Sequence, residues 1–247
     1  MSTPEQWTER AQYDLETARA MLQAGRYLYV VFCCQQAVEK ALKGLIVLRA
    51  GQTPPRLHNL PQLAREAGLQ VDPERAELLR VLTNAYILSR YPEPPGGAWG
   101  FTDPCGRRRT GEPDGGHVRM DTRPDEVMAR AVEAVAALAR RVPVSAAFIF
   151  GSQVNGQATE HSDIDIAVFA RGVQTWGLLE HARVASRVQA EVGDDIELHI
   201  FPDAQLEHCD PASFAAYVQR HGVRVDVAAV GRVTEDEPEY GDGDAQA

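Results

Sequence analysis

Through the first half of the chain apolar positions recur every three to four residues; in the second half short apolar or alternating runs take over. Thr3-Pro4-Glu5-Gln6 predicts a capped helix start, with Thr3 and Gln6 satisfying each other's backbone amides and Pro4 at the first helical position. Trp7, Ala11, Leu15, Ala18 and Leu22 continue at helical spacing until Gly25. A second helix is predicted over 27–49, with Val30, Val31, Cys34, Val38, Ala41, Leu42, Leu45 and Ile46 on its apolar side. Gly51 and Thr53-Pro54-Pro55 stop it, and shorter helices follow near 60–66 and 73–89. Short links between amphipathic helices predict an antiparallel bundle.

The pattern breaks over 92–123, where proline and glycine crowd the chain and predict a long inserted loop. A helix is expected over 124–141, with acids in its first turn and arginines in its last, as the helix dipole favours. Strands are expected at 146–150, 164–169 and 196–201, with helices at 175–191 and 213–221. The fold class is therefore α+β: a helical bundle over 1–141, then a small α/β domain with a mixed sheet over 142–230.

Composition narrows the function. The net charge of −10 argues against broad binding to a nucleic-acid backbone, so RNA is not an expected partner. Residues 231–247 hold part of that charge and read as an acidic, disordered tail. The Arg107-Arg108-Arg109 run reads as a solvated charge cluster. Cys33, Cys34, Cys105 and Cys209 show neither disulfide nor zinc spacing. With no secretory signal and no run long enough to span a bilayer, a cytoplasmic protein without a membrane partner is expected.

Chemistry concentrates in 148–169, FIFGSQVNGQATEHSDIDIAVF. A strand runs into Gly151-Ser152, where a glycine lets backbone amides approach an anion. A helix following the turn would add its positive end, and Ser152 a hydroxyl donor. After ten intervening residues come Asp163 and Asp165, two apart in a strand and so on one face, while Ile164, Ile166 and Val168 pack behind. Carboxylates this close repel unless a cation sits between them, and Mg²⁺ is the natural choice beside substrate phosphates. In 194–201, DDIELHIF, Glu197 and His199 share the face opposite Ile196, Leu198 and Ile200. Glu197, mid-strand, is the preferred third carboxylate, to bind metal and help deprotonate an attacking hydroxyl; Asp195 is the alternative.

Gly-Ser, ten residues, then Asp-x-Asp resembles the signature of the DNA polymerase beta-like nucleotidyltransferases, and the short form here resembles a minimal nucleotidyltransferase. The resemblance implies that Gly151 and Ser152 bind the triphosphate of ATP or another NTP while Asp163 and Asp165 hold the metals. Many minimal members place an arginine after the Gly-Ser; this chain has Gln153. The first half resembles HEPN bundles, in ARAMLQAGRYLYVVFCCQQAVEKALKGLI, TPPRLHNL and SRYP. Ribonucleolytic HEPN domains carry an arginine four to six residues before a histidine, whereas Arg49 lies eight intervening residues from His58, and Arg109 seven from His117. His58 reads as a turn histidine.

Together the resemblances imply an enzyme that transfers NMP, AMP foremost, from an NTP to a hydroxyl on a protein, in a toxin–antitoxin-like pairing of the two domain types. Tyr91 is a conceivable acceptor and the bundle a conceivable homodimer interface. The alternatives are a small-molecule acceptor of the aminoglycoside kind, a nucleotide-binding regulatory module, and a ribonuclease held in check in cis.

Overall fold

The computed structural model describes residues 2–90, 124–159 and 162–227. Tyr91, the 92–123 insertion with Cys105, Arg107–Arg109 and His117, and the tail over 231–247 lie outside them. The first helix, α1 (Pro4–Gln23), starts on the expected capping box: Thr3 Oγ1 accepts from the Gln6 amide and Gln6 Oε1 from the Thr3 amide, at 3.4 and 3.0 Å. Helix α2 (Tyr27–Ala50) ends at Gly51, whose φ of 63° closes the helix in the left-handed region. Gly44 of α2 sits against the Cβ of Trp7, so the two helices meet at a point that any larger residue would push apart. Helices α3 (Leu60–Glu66) and α4 (Pro73–Arg90) complete the group around α2, and Leu42, Ile46, Leu57, Leu60 and Leu63 form the buried apolar centre.

The remaining elements are α5 (Pro124–Ala139), β1 (Val144–Phe150), β2 (Ile164–Ala170), α6 (Leu178–Val192), β3 (Ile196–Pro202), α7 (Phe214–His221) and β4 (Val223–Val225). They build a four-stranded mixed sheet of order β3-β2-β1-β4, with β1 antiparallel to β2 and β4, and β2 parallel to β3 across α6. Ile164, Ile166 and Val168 pack on one face with Ile196, Leu198 and Ile200, as expected, and α5 and α6 cover them. Ala167, Phe169 and Phe201 line the other face beneath α7.

Three expectations need correction. Helix α5 was grouped with the bundle, but Ala131, Ala134, Val135 and Leu138 bury themselves in the sheet's core. Strand β4 was not foreseen; it is three residues long and pairs with β1, with Val225 buried in the sheet's core. No α-helix follows Gly151-Ser152: a single 3-10 turn (Gly151–Gln153) leads into a loop.

The two halves are in contact. Helix α4 packs along α6, and Asn84 Nδ2 donates to Gln189 Oε1 at 2.7 Å with both groups buried. Asp194, ahead of β3, receives Arg65 Nη1 at 2.5 Å and Arg80 Nε at 2.7 Å, while its carbonyl accepts Asn59 Nδ2 at 2.6 Å. A carboxylate nearly closed off from water with two guanidiniums on it is a directional joint, hard to slide.

Candidate active site

Register brings the acids together. In the parallel ladder Asp165 lies directly beside Glu197, and in the antiparallel ladder Phe150, just before Gly151, lies beside Asp165. Asp163 precedes β2 by one residue and its Oδ1 accepts a 3.0 Å hydrogen bond from Gln62 Nε2 of the bundle. Ligand atoms of Asp165, Glu197 and His199 lie within 4.8 Å of one another, close enough for one cation.

Gly151 explains itself here. Its φ is 74°, and a Cβ would collide with Asp165 Oδ2 and stand 2.9 Å from Asp165 Cγ. The glycine is therefore needed twice, for the left-handed backbone and for the carboxylate pressed against it. Ser152 follows at the rim of the same cleft. Gln153 turns inward, donating to the carbonyls of Ser162 and Asp163 at 3.3 and 3.5 Å. It fixes the loop onto β2, so the position where many minimal members carry arginine is structural in this chain.

The electrostatics are those of a cation site. Burial, then the charge of Glu197, then that of Asp195, push Asp163 up to about 7, against the opposing Gln62 hydrogen bond and His58. Asp165 is likewise raised far above the ordinary carboxylate range by burial and by the charges of Glu197 and Asp163. A fold gains nothing from crowding half-buried acids in this way; a divalent ion relieves both repulsion and desolvation. Asp195 is held elsewhere, with Oδ1 on Arg130 Nη2 at 2.5 Å, whereas Glu197 faces Asp165.

His199 was read on the site's face but given no role. It is buried, with Nε2 2.8 Å from Glu197 Oε1 and its ring edge-on to Phe150 and Phe214 at 5.2 and 5.5 Å. A histidine so packed either orients the Glu197 carboxylate or joins it on a metal.

The cleft holding these groups has a volume of about 390 Å³ and is walled by both halves of the chain. From the bundle come Arg56, His58 and Asn59 of the α2–α3 link, with Thr83 and Tyr86 of α4. His58 is no free turn histidine. Its Nδ1 sits 3.1 and 3.2 Å from the two oxygens of Glu39, a buried acid on α2. Lys43 Nζ and Gln35 Nε2 also donate to Glu39, at 2.8 and 3.1 Å. Burial works to raise the Glu39 pKa, but the hydrogen bonds from His58 and Lys43, with their charges, outweigh it and hold it down to about 2. By contrast, burial pushes the Cys33 and Cys34 thiols up, as suits inert packing groups.

Fold and site define a nucleotidyltransferase domain beside a helical bundle. Residues 4–103 match the family model described as HEPN domain, and residues 133–221 the model described as Polymerase beta, Nucleotidyltransferase. The chain is a HEPN–nucleotidyltransferase fusion, and the second match begins inside α5, in accord with that helix packing on the sheet. Neither a curated protein nor a solved structure matches it significantly. Among the described residues no helix is long and apolar enough to cross a membrane.

Proposed function

We infer that the chain transfers a nucleoside monophosphate, AMP foremost, from an NTP to a hydroxyl on a protein, in the cytoplasm and in a toxin–antitoxin-like setting. The observation that carries this reading is the convergence of Asp163, Asp165 and Glu197 against the Gly151-Ser152 turn, inside a cleft closed by the bundle. The donor set is all hard oxygen apart from His199, which fits Mg²⁺. When bound, the metal would be held by Asp163, Asp165 and Glu197 and would neutralise charge on the reacting phosphates.

The chain's own groups do the rest. The amides of Gly151 and Ser152 and the Ser152 hydroxyl receive phosphate oxygens. Gln62 and Gln153 hold Asp163 and the loop in place. Glu197, oriented by His199, is the carboxylate placed to take the acceptor's proton. Tyr91, within SRYP, is the acceptor we would examine first.

Incubation with Mg²⁺ and ATP labelled separately at the α and γ positions tests this. Label moving to protein from the α position only, and not in Asp163→Asn/Asp165→Asn, supports it; intact-mass spectra without added nucleotide on the chain or a co-purified partner rule out the protein acceptor. One observation favours a second reading: an acidic cleft shared by two domains suits a cationic small-molecule acceptor of the aminoglycoside kind.

A further inference from the structure

Among the described residues, the acids lining the cleft come from the sheet domain: Asp163, Asp165 and Glu197. Among the described residues, the basic groups lining it come from the bundle: Arg56 and His58. The Gly151-Ser152-Gln153 turn that precedes the carboxylates has no cationic side chain, and Gln153 points into the protein. An NTP carries more negative charge than amides and a serine hydroxyl balance, and a phosphate chain in a cleft of carboxylates needs fixed cations as well as a metal.

We propose that Arg56 and His58, on the α2–α3 link of the bundle, are polyphosphate-binding groups of the transferase site, so that the site is complete only when both domains are present. The proposal deepens the nucleotidyltransferase reading and rests on it.

The link is built to hold these groups still. Leu57, between them, is buried in the bundle's apolar centre. The His58 carbonyl accepts Gln35 Nε2 at 3.1 Å, and Asn59 both caps α3 and reaches the Asp194 carbonyl. Glu39 engages His58 Nδ1, which leaves Nε2 as the nitrogen available to a ligand; a protonated ring donates there to a phosphate oxygen. Arg56 is exposed and has no hydrogen bond or ion pair among the described residues, so its guanidinium is free to close on a phosphate in two-pronged fashion. The joints from Asn59 to Asp194 and from Gln62 to Asp163 keep this wall in register with the carboxylates.

Calorimetric titration of the full chain with α,β-methylene-ATP and with AMP, both in Mg²⁺, tests the assignment. Arg56→Ala is expected to weaken the triphosphate analogue about tenfold or more, His58→Gln by about threefold to tenfold, and the double variant by about the product. Arg56→Lys recovers part of the loss, since charge returns without the two-pronged geometry. AMP binding stays within about twofold, because the contacts are to phosphates that AMP lacks. Arg75→Ala, which removes an exposed guanidinium paired with Asp72 outside the cleft, binds like the wild type. Melting curves that match the wild type show that the variants are folded. Unchanged triphosphate binding in the double variant, or an equal loss for AMP, overturns the proposal. A wild type that binds neither nucleotide overturns the transferase reading along with it.

Discussion

Two acidic knots, one behind the His58 wall of the cleft and one within the cleft, are built in opposite ways. Glu39 is buried, yet it is surrounded by donors and its pKa is held down to about 2. Asp163 is withdrawn from water as well, but its charged neighbours are mostly other acids, so burial and their charge together push it up to about 7. The first is a finished structure, with every lone pair answered by a group of the same domain or the adjoining turn. The second is unfinished without a cation. Buried charge in itself therefore says little about function; the sign of the neighbours separates a strut from a binding site.

The largest effect expected from breaking this contrast is on chemistry. Asp163→Asn/Asp165→Asn should lower α-label transfer by at least about a thousandfold, measured as initial rates, because the positions that would hold the metal lose their charge. Gly151→Ala should come next. Its methyl group must displace Asp165 and strain a backbone at φ 74°, so about 1–3 kcal/mol of stability and most activity should go together, read by melting and by label transfer.

On the other side of the cleft, Glu39→Gln strands Lys43 and loosens His58. It should cost about 3 kcal/mol in denaturant titrations, with Mg²⁺ affinity little changed. The corresponding pH effects have opposite signs. Glu39, with its folded pKa lowered, adds stability above about pH 4.5 that is lost as pH falls toward about 2. Asp163, with its folded pKa raised, contributes a penalty to the metal-free protein that is absent below about pH 4 and grows as pH rises to about 7. Melting temperatures across that range, in chelator, should show the decline, and saturating Mg²⁺ should remove most of it.

The smallest effect sharpens the choice of third carboxylate. Glu197→Gln should lose about a hundredfold in label transfer, whereas Asp195→Asn, which removes a partner of Arg130, should stay within about threefold. Equal losses would return Asp195 to the site.

Much of this was legible in sequence. Periodicity placed α1 to α4 and the first three strands within a few residues, because one face of each is buried and leaves its mark every 3.6 or 2 positions. The Asp163–Asp165 face followed from strand alternation alone. What periodicity cannot say is which surface buries a given face, so α5 was grouped with its neighbours in sequence although its alanine- and leucine-rich side fits the sheet. Val223-Arg224-Val225 was too short to show a period.

The site's far wall was hidden for a related reason. Gln62 and Asp163 are separated by 101 positions, and Glu39 and His58 by 19, so only the folded chain brings them together. His199 was within reach of sequence reasoning: two residues after Glu197 on the same strand face, it had to stand beside that carboxylate. Gln153 stood out in sequence only as the residue where many minimal members place arginine, and its inward turn became apparent only with the loop in place.

The most direct test of the central claim is thermal melting at pH 8, with and without Mg²⁺, of the wild type and of Asp163→Asn/Asp165→Asn. The account predicts that in chelator the double variant melts higher than the wild type, relieved of buried charge and its repulsion, together of the order of 3 kcal/mol, and that Mg²⁺ raises only the wild type. A double variant that melts lower in chelator, or a wild type indifferent to Mg²⁺ and Mn²⁺, would mean that these carboxylates do not form a cation site.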